Sequence, residues 1–243
     1  MKQQKILLSL AVLMSALFYS CNNDSEKKEE PAKAETPATA APAAPAAPEK
    51  PGNFLLITHK VANYAKWLPL YESDDSARKA NGLTNFVLGR GIGADSNTVL
   101  VALKMADTAK AKAFGSSPGL KEKMKQGGVI GAPLSVNYTE AVWMDTSTNS
   151  LSTRVIVTHK VKDWDAWKKE FDSHKQVRMD AGLVDRSVGH SVDDTHNVIV
   201  VFAISDMAKA KAFMASKDLK DKMAAAGVTG PPSIFYYTVA KKY

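Results

Sequence analysis

An internal repeat with a spacing of about one hundred residues is the feature that most limits how this chain can fold. The motif Thr-His-Lys-Val occurs at residues 58–61 and again at residues 158–161. Other pairs keep this spacing to within one residue, among them Trp67 and Trp167, Arg78 and Arg178, and the segments 109–114 and 208–213. Such a period is too long for a solenoid unit and suits a small domain. The sequence therefore predicts two copies of one domain, at residues 53–145 and 152–243.

Each copy follows the pattern strand, helix, strand, strand, helix, strand. Apolar runs at residues 54–61 and 155–161 are typical of buried strands, and apolar residues at helical spacings of three and four follow each run. Asn63 and Asp163 are suited to cap the helices that follow. This βαββαβ order is the ferredoxin-like motif, a four-stranded antiparallel sheet with both helices on one face. We therefore expect an α+β protein in which two tandem ferredoxin-like units pair within one chain.

The first 20 residues resemble a bacterial lipoprotein signal. Lys2 and Lys5 precede an apolar run at residues 6–18, which has the length of a signal-peptide core and is short for a membrane span. Cys21 is the only cysteine, so no intrachain disulfide can form. The resemblance implies that Cys21 is lipidated and becomes the mature N-terminus. The alternative is a simple cleaved secretory signal with an incidental cysteine.

Residues 21–52 are expected to form a disordered tether, because they are rich in Ala, Pro, Glu and Lys and have no apolar periodicity. The acidic stretch that begins just after Cys21 resembles the surface-export signal of some Gram-negative lipoproteins. We therefore expect a protein of the bacterial cell envelope, held by lipid on Cys21 in the outer membrane. Exposure at the cell surface is a further expectation.

The formal net charge is +7, and the lysines are scattered beside aspartates and glutamates in both copies. A surface that binds nucleic acid usually concentrates its basic residues on one face or along one helix. The sequence instead indicates a mixed, solvated surface, and we expect no nucleic-acid partner.

Four motifs are complete in the second copy and recur in the first with Tyr71 in place of a phenylalanine and Ala132 in place of a proline. They are a strand ending in His-Lys-Val, a Trp-x-x-x-Phe helix that leads to His or Asp and then to Arg, an Ala-Lys-Ala-Phe helix, and a Gly-Val-x-Gly-Pro-Pro turn. With them each copy resembles the dimeric α/β-barrel superfamily, and within it the small antibiotic-biosynthesis-monooxygenase-like or cyclase-like domains. In that superfamily two ferredoxin-like units dimerise into one barrel. The resemblance implies that this chain forms the barrel alone.

The superfamily includes cofactor-free oxygenases, haem-degrading enzymes, peroxidases and members without known activity. A shared fold does not choose among these functions. The function must therefore be argued from individual side chains.

One histidine lies in the first strand of each copy, on a face that is otherwise apolar. Strand alternation places His159 with Val155 and Val157, and places His59 in the same way in the first copy. An ionisable imidazole in such a setting is either a hydrogen-bonded core histidine or part of a site. Both readings stay open at this level.

The helix after the first strand carries a second set of candidates. In the second copy His174 and Arg178 extend the line of Trp164, Trp167 and Phe171. A cleft lined by aromatic residues with a few convergent polar groups suits a small amphipathic ligand. His159 and His174 are the candidate catalytic residues, because imidazoles can relay protons, and Arg178 could hold an anion.

In the first copy Asp74 replaces His174, and an i,i+4 ion pair with Arg78 would explain it. We therefore predict that the second copy keeps the site and that the first is mainly structural. The candidate ligand-binding residues are Trp167, Arg178, His59, Trp67 and Arg78. The two tryptophans are interpreted first as core anchors and only then as stacking platforms.

No metal site is predicted, since His190, His196 and the other histidines lack a familiar short metal-ligand spacing. The Gly-rich segment at residues 89–93 is not followed by a helix, so we interpret it as a hairpin turn and not as a nucleotide site. No cofactor is predicted. Haem bound through a histidine is the alternative.

The leading functional hypothesis is an envelope lipoprotein whose tandem barrel binds a small, partly hydrophobic molecule. The second is a cofactor-independent oxygenase or a cyclase- or isomerase-like enzyme with His159 or His174 as base. Haem binding and a non-catalytic surface or interaction role complete the alternatives. Whether the chain is an enzyme stays open.

Overall fold

The computed structural model describes residues 51–243, which form a closed β-barrel with helices packed against its outer face. The predicted signal peptide at residues 1–20, the predicted lipidation site Cys21 and nearly all of the tether at residues 21–52 lie outside the described residues. No helix within residues 51–243 is both long and apolar enough to cross a membrane.

Each copy contains four strands and four α-helices, and the first copy has a 3-10 turn at Gly93–Asp95 in addition. In the first copy they are β1 (Asn53–Val61), α1 (Tyr64–Ser73), α2 (Asp75–Ala80), β2 (Leu83–Gly91), β3 (Thr98–Met105), α3 (Thr108–Ser116), α4 (Pro118–Gln126) and β4 (Val129–Met144). In the second they are β5 (Thr153–Val161), α5 (Trp164–Ser173), α6 (Lys175–Asp180), β6 (Leu183–Ser191), β7 (Asn197–Ile204), α7 (Met207–Met214), α8 (Lys217–Ala225) and β8 (Val228–Lys242).

The strands follow the order β1-β3-β2-β8-β5-β7-β6-β4 around the barrel, and all pairs are antiparallel. Each copy thus forms the four-stranded sheet of a ferredoxin-like unit. Two seams join the copies. In one, β2 pairs with β8 and Gly91 lies opposite Tyr237; in the other, β4 pairs with β6 and Thr139 lies opposite Ser191. The expectation of two ferredoxin-like units that close one barrel within a single chain is confirmed.

The helix stripe that the sequence predicts as one continuous helix is broken in both copies. The break falls at Asp74 and at His174, which have φ of −94° and −95° and ψ of 13° and 14°. At Asp74 the backbone N–H donates to the carbonyl of Tyr71, three residues back, and this tighter turn ends α1. Each stripe is therefore divided between two helices, and its arginine lies on the second.

Side-chain caps fix where the helices begin. The amide oxygen of Asn63 accepts a hydrogen bond from the backbone N–H of Lys66, as predicted. The carboxylate of Asp163 accepts one from the backbone N–H of Ala166 in the same way. Gly82 follows α2 with φ of 72°, a conformation that only glycine adopts without strain.

Three apolar clusters make up the core. Two lie between a half of the sheet and its own helices, around Trp67 in the first copy and Trp167 in the second. The third lies inside the barrel, on the opposite faces of the same strands, and includes Phe54, Ile156 and Tyr237. This alternation sets two kinds of cavity, outside and inside the sheet.

Candidate functional site

The second copy holds a cavity of about 110 Å³ between its sheet and its helices. Its walls are mostly apolar and include Trp167, Phe171, Val200, Phe202, Phe213, Leu219 and Met223. His159 from β5, together with His174 and Arg178 from the helix stripe, also lines it. The structure therefore brings the candidate residues of the second copy to one cavity.

His159 lies at the floor of this cavity with only 7% of its surface exposed. Its ring meets the edge of Trp167 at a centroid distance of 5.3 Å. Among the described residues, neither of its ring nitrogens has a hydrogen-bond partner. Burial lowers the pKa of His159 to about 4, so the ring is neutral near pH 7 and offers one N–H donor and one nitrogen acceptor.

His174 lies at the end of α5 and is half-buried at the edge of the same cavity. Its backbone N–H closes the last turn of the helix onto the carbonyls of Glu170 and Phe171. It therefore contributes both a helix end and an imidazole to the site.

Arg178 is engaged within the chain. Its Nε and Nη2 donate to the two carboxylate oxygens of Asp185 at 2.9 and 2.7 Å, and its Nη1 donates to the carbonyl of Phe171. The guanidinium lies 3.6 Å from the centre of the Phe171 ring. The sequence predicted that Arg178 could hold a ligand anion. Such an anion would have to compete with Asp185, which was not predicted as a site residue.

The first copy has a matching cavity, also about 110 Å³, lined by His59, Trp67, Tyr71 and Arg78 among others. Among the described residues, both ring nitrogens of His59 lack a partner, and burial lowers its pKa to about 4. Trp67 is 4% exposed and stacks on Tyr71 at 4.8 Å, as Trp167 stacks on Phe171 at 5.0 Å. Both tryptophans are core residues that also line a cavity.

Arg78 differs from Arg178 in its partners. Asn85 occupies the place of Asp185, accepts a hydrogen bond from the Tyr71 hydroxyl at 2.5 Å and donates to Asp75 at 2.8 Å. Nε and Nη2 of Arg78 are buried and find no hydrogen-bond acceptor among residues 51–243. The predicted ion pair with Asp74 was wrong: the helix breaks there, and the nearest carboxylate is that of Asp75, at 3.9 Å.

A third cavity of about 760 Å³ lies inside the barrel. Arg154 and Tyr237, which face each other across β5 and β8, contribute to its wall. Neither residue was predicted from the sequence. The available signal was a single arginine in the otherwise apolar strand run Arg-Val-Ile-Val, at the position where the first copy has Phe54.

The remaining histidines bond locally. His190 meets Trp164 edge to face at 4.7 Å, and His196 Nδ1 lies 3.0 Å from an oxygen of Asp194. Within the described part of the chain, no three His, Cys, Asp or Glu side chains are arranged to hold a metal ion.

No protein-family model matches the sequence, and no curated protein matches it. Solved structures do match by shape. A provisionally assigned monooxygenase from Fusobacterium nucleatum superposes with a TM-score of 0.50 at 10% identity, over 79% of this chain and 94% of that one. An anthrone oxidase-like protein gives 0.50 at 13% identity, over 80% and 94%. A provisionally assigned chlorite dismutase gives 0.50 at 14% identity, over 78% and 94%.

At such low identity these similarities establish the fold and leave the activity open. Each covers both copies, so the likeness extends to the whole barrel. The chain therefore has the dimeric α/β-barrel fold of these monooxygenase-like and chlorite dismutase-like proteins, with both ferredoxin-like halves supplied by one polypeptide.

Proposed function

We propose that this chain binds a small, mostly apolar molecule in the helix–sheet cavity of the second copy. The observation that carries the proposal is the pairing of apolar walls with the free ring nitrogens of His159. The volume of about 110 Å³ is of the order of the ~150 Å³ engineered cavities that take up benzene. A one-ring compound with a single hydroxyl or carbonyl group matches this size and polarity.

The state of His159 favours binding over proton abstraction. A general base works best when its pKa lies near the working pH, and burial lowers that of His159 to about 4. The neutral ring is well suited to accept or donate one hydrogen bond to a ligand. His174, less buried at the cavity edge, is the better candidate for proton transfer in the alternative of a cofactor-independent oxygenase or isomerase. Substrate-dependent oxygen uptake without added cofactor would support an oxygenase.

Haem does not fit the cavities beside the two buried histidines as the chain is folded. The space of about 110 Å³ in each copy is below the 300–1,000 Å³ usual for small-molecule pockets, and a haem macrocycle is larger than a one-ring ligand. His159 is also held against Trp167. Haem binding at either histidine would require the helices to move away from the sheet.

The test is calorimetric titration of the full chain with phenol and with toluene, which share a ring and differ in the hydroxyl group. We expect phenol to bind more tightly than toluene. His159→Leu should remove that difference and leave toluene binding in place. His59→Leu is the matched control for the first copy. Failure of the unmodified chain to bind either compound would contradict the proposal, as would equal loss of phenol binding in both variants.

For the N-terminal segment the proposal is lipid anchoring in the cell envelope through Cys21. The support is the sequence alone: a basic start, an apolar run of signal-peptide length and a cysteine three residues after its end. Labelled palmitate should be incorporated into the full chain and not into Cys21→Ser. Membrane fractions should contain the full chain with Cys21 and lack the Cys21→Ser variant. A full chain with Cys21 that takes up no labelled palmitate would refute the proposal.

A further inference from the structure

The cavity inside the barrel is separate from the two helix–sheet cavities. Strand alternation points its lining residues away from the helices: on β5, Arg154 and Ile156 face inward, whereas Val155 and Val157 face the helices. Its volume of about 760 Å³ lies within the 300–1,000 Å³ range of small-molecule sites. It is the largest of the three cavities described above.

Arg154 places an unpaired cation in this wall. Only 6% of the residue is exposed, and within residues 51–243 its guanidinium makes no hydrogen bond and no salt bridge. Burial lowers the pKa of Arg154, Arg186 adds to that effect and Tyr237 and Asp145 oppose it, and the arginine stays charged. Unlike those of Arg78, the guanidinium nitrogens of Arg154 are not fully enclosed by protein, so they are open to a partner that enters the cavity.

The carboxylate near Arg154 belongs to Asp145, and it is paired with Arg186. Arg186 donates from Nη1 to Asp145 and from Nη2 to the carbonyl of Ser147, the latter at 3.0 Å. Among the described residues that line the cavity, four are basic and none is acidic: Arg154, Arg186, Lys104 and Lys242. The cavity is therefore electropositive.

The first copy shows that the fold does not require this arginine. At the position of Arg154 it has Phe54, and at the position of Tyr237 it has Thr139. Phe54 lies 5.2 Å from Phe86, and both rings line the cavity. One side of the barrel interior thus has two phenylalanine rings with the exposed Lys104 beside them, whereas the other has a buried guanidinium and a phenol.

Tyr237 adds a hydrogen-bond donor beside the cation. It lies opposite Arg154 across the strand pair, and burial raises its pKa to about 12, so its hydroxyl keeps its proton at neutral pH. A guanidinium binds a carboxylate through two parallel hydrogen bonds, and a neighbouring hydroxyl can donate a third. Of the two arginines that line the cavity, Arg186 is paired with Asp145 and Arg154 is not, and one unpaired guanidinium suits one carboxylate.

We propose that the barrel interior binds a monocarboxylate with an apolar body. The carboxylate lies at Arg154 and Tyr237, and the body lies along Phe54 and Phe86. This site is independent of the binding proposed for the helix–sheet cavity.

The test is calorimetric titration of the full chain with octanoate and with its uncharged analogue octanamide, without detergent, which would compete for an apolar cavity. We expect octanoate to bind at least tenfold more tightly than octanamide. Arg154→Phe copies the residue of the first copy and should lower octanoate affinity at least tenfold. Arg154→Lys, which keeps the charge and loses the two-pronged geometry, should lie between. Arg90→Phe removes an exposed arginine outside the cavity and should change nothing.

A thermal melt verifies that Arg154→Phe is folded, and Arg154→Lys gives a second reading if it is not. Equal affinities for octanoate and octanamide would overturn the proposal. So would octanoate affinity that survives both substitutions at Arg154, or no octanoate binding at millimolar concentration.

Discussion

Arg178 and Asp185 form a two-pronged ion pair that joins the helix stripe of the second copy to strand β6. The Nε–Oδ1 and Nη2–Oδ2 distances are 2.9 and 2.7 Å, and the two side chains are 7% and 10% exposed. The first copy keeps the arginine, as Arg78, and replaces the acid with Asn85. Two halves with the same order of strands and α-helices therefore hold their buried arginines by different means.

The first prediction concerns this pair. Asp185→Asn should lower the free energy of unfolding by about 3 kcal/mol, because it leaves Arg178 buried without its counter-charge. Urea unfolding measures the change. The double variant Asp185→Asn with Arg178→Met is the control and should recover most of the loss. A single variant as stable as the unmodified chain would show that the pair contributes nothing.

The second prediction is a pH dependence set by the two buried histidines. The pKa of His59 and of His159 falls from 6.5 in the unfolded chain to about 4 in the folded one. Between these values the unfolded chain binds more protons, so the free energy of unfolding falls as the pH falls from about 6.5 to about 4. Each histidine contributes roughly 3 kcal/mol to that loss. Above pH 6.5 their contribution is complete and constant.

Urea unfolding at pH 5 and pH 7.5 checks this slope. His59→Leu combined with His159→Leu should remove much of the difference between the two pH values, because leucine does not titrate. His196→Leu alters an exposed histidine and should leave the difference intact. An unchanged slope in the double variant would assign the pH dependence to other groups.

The third prediction concerns the tight contact between Gly89 and Tyr237. A methyl group on Gly89 would clash with the Tyr237 ring. Gly89→Ala should therefore force that ring to shift and destabilise the chain by about 1–3 kcal/mol. Octanoate affinity should also fall, because Tyr237 lines the barrel cavity. Gly119→Ala is the control: it lies in α4 with no atom within 4 Å and should raise helix stability by up to ~1 kcal/mol.

The fourth prediction separates binding from stability at Arg154. Arg154→Phe removes an unpaired buried charge and restores the residue found in the first copy. The melting temperature should stay equal or rise, even though octanoate affinity falls, because replacing a buried charge with an apolar side chain is often neutral or stabilising. Differential scanning calorimetry without ligand measures it. A fall of several degrees would mean that Arg154 supports the fold.

The fold could be predicted because the repeat and the strand periodicity are visible in the sequence without knowledge of tertiary contacts. A strand such as β5 is recognised from its own apolar run, and Asp163 is recognised as the N-cap of the helix that follows. The break at His174 was not predicted. Apolar residues at spacings of three and four give the same sequence pattern in one continuous helix and in two consecutive helices.

The site was predicted in outline only. Placing His159 and His174 at one cavity required just the strand face and the helix stripe. The partner of Arg178 comes from another element, and the orientation of Asp185 depends on the irregular pairing of β6 with β7, with a register shift between Asp185 and Ser187. The barrel cavity was not predicted, because the sequence does not show which face of β5 is turned toward the barrel interior. Only that face makes Arg154 a candidate site residue.

The fusion of the two halves has a consequence for the barrel interior. In a barrel built from two identical subunits, symmetry would repeat every substitution on both sides of the two-fold axis. An arginine there would face its own copy across the same enclosed space, and the two like charges would repel. Here the single polypeptide has Arg154 on one side and Phe54 on the other. The two walls of the interior are consequently not equivalent, so a molecule that enters it would not have two equivalent orientations.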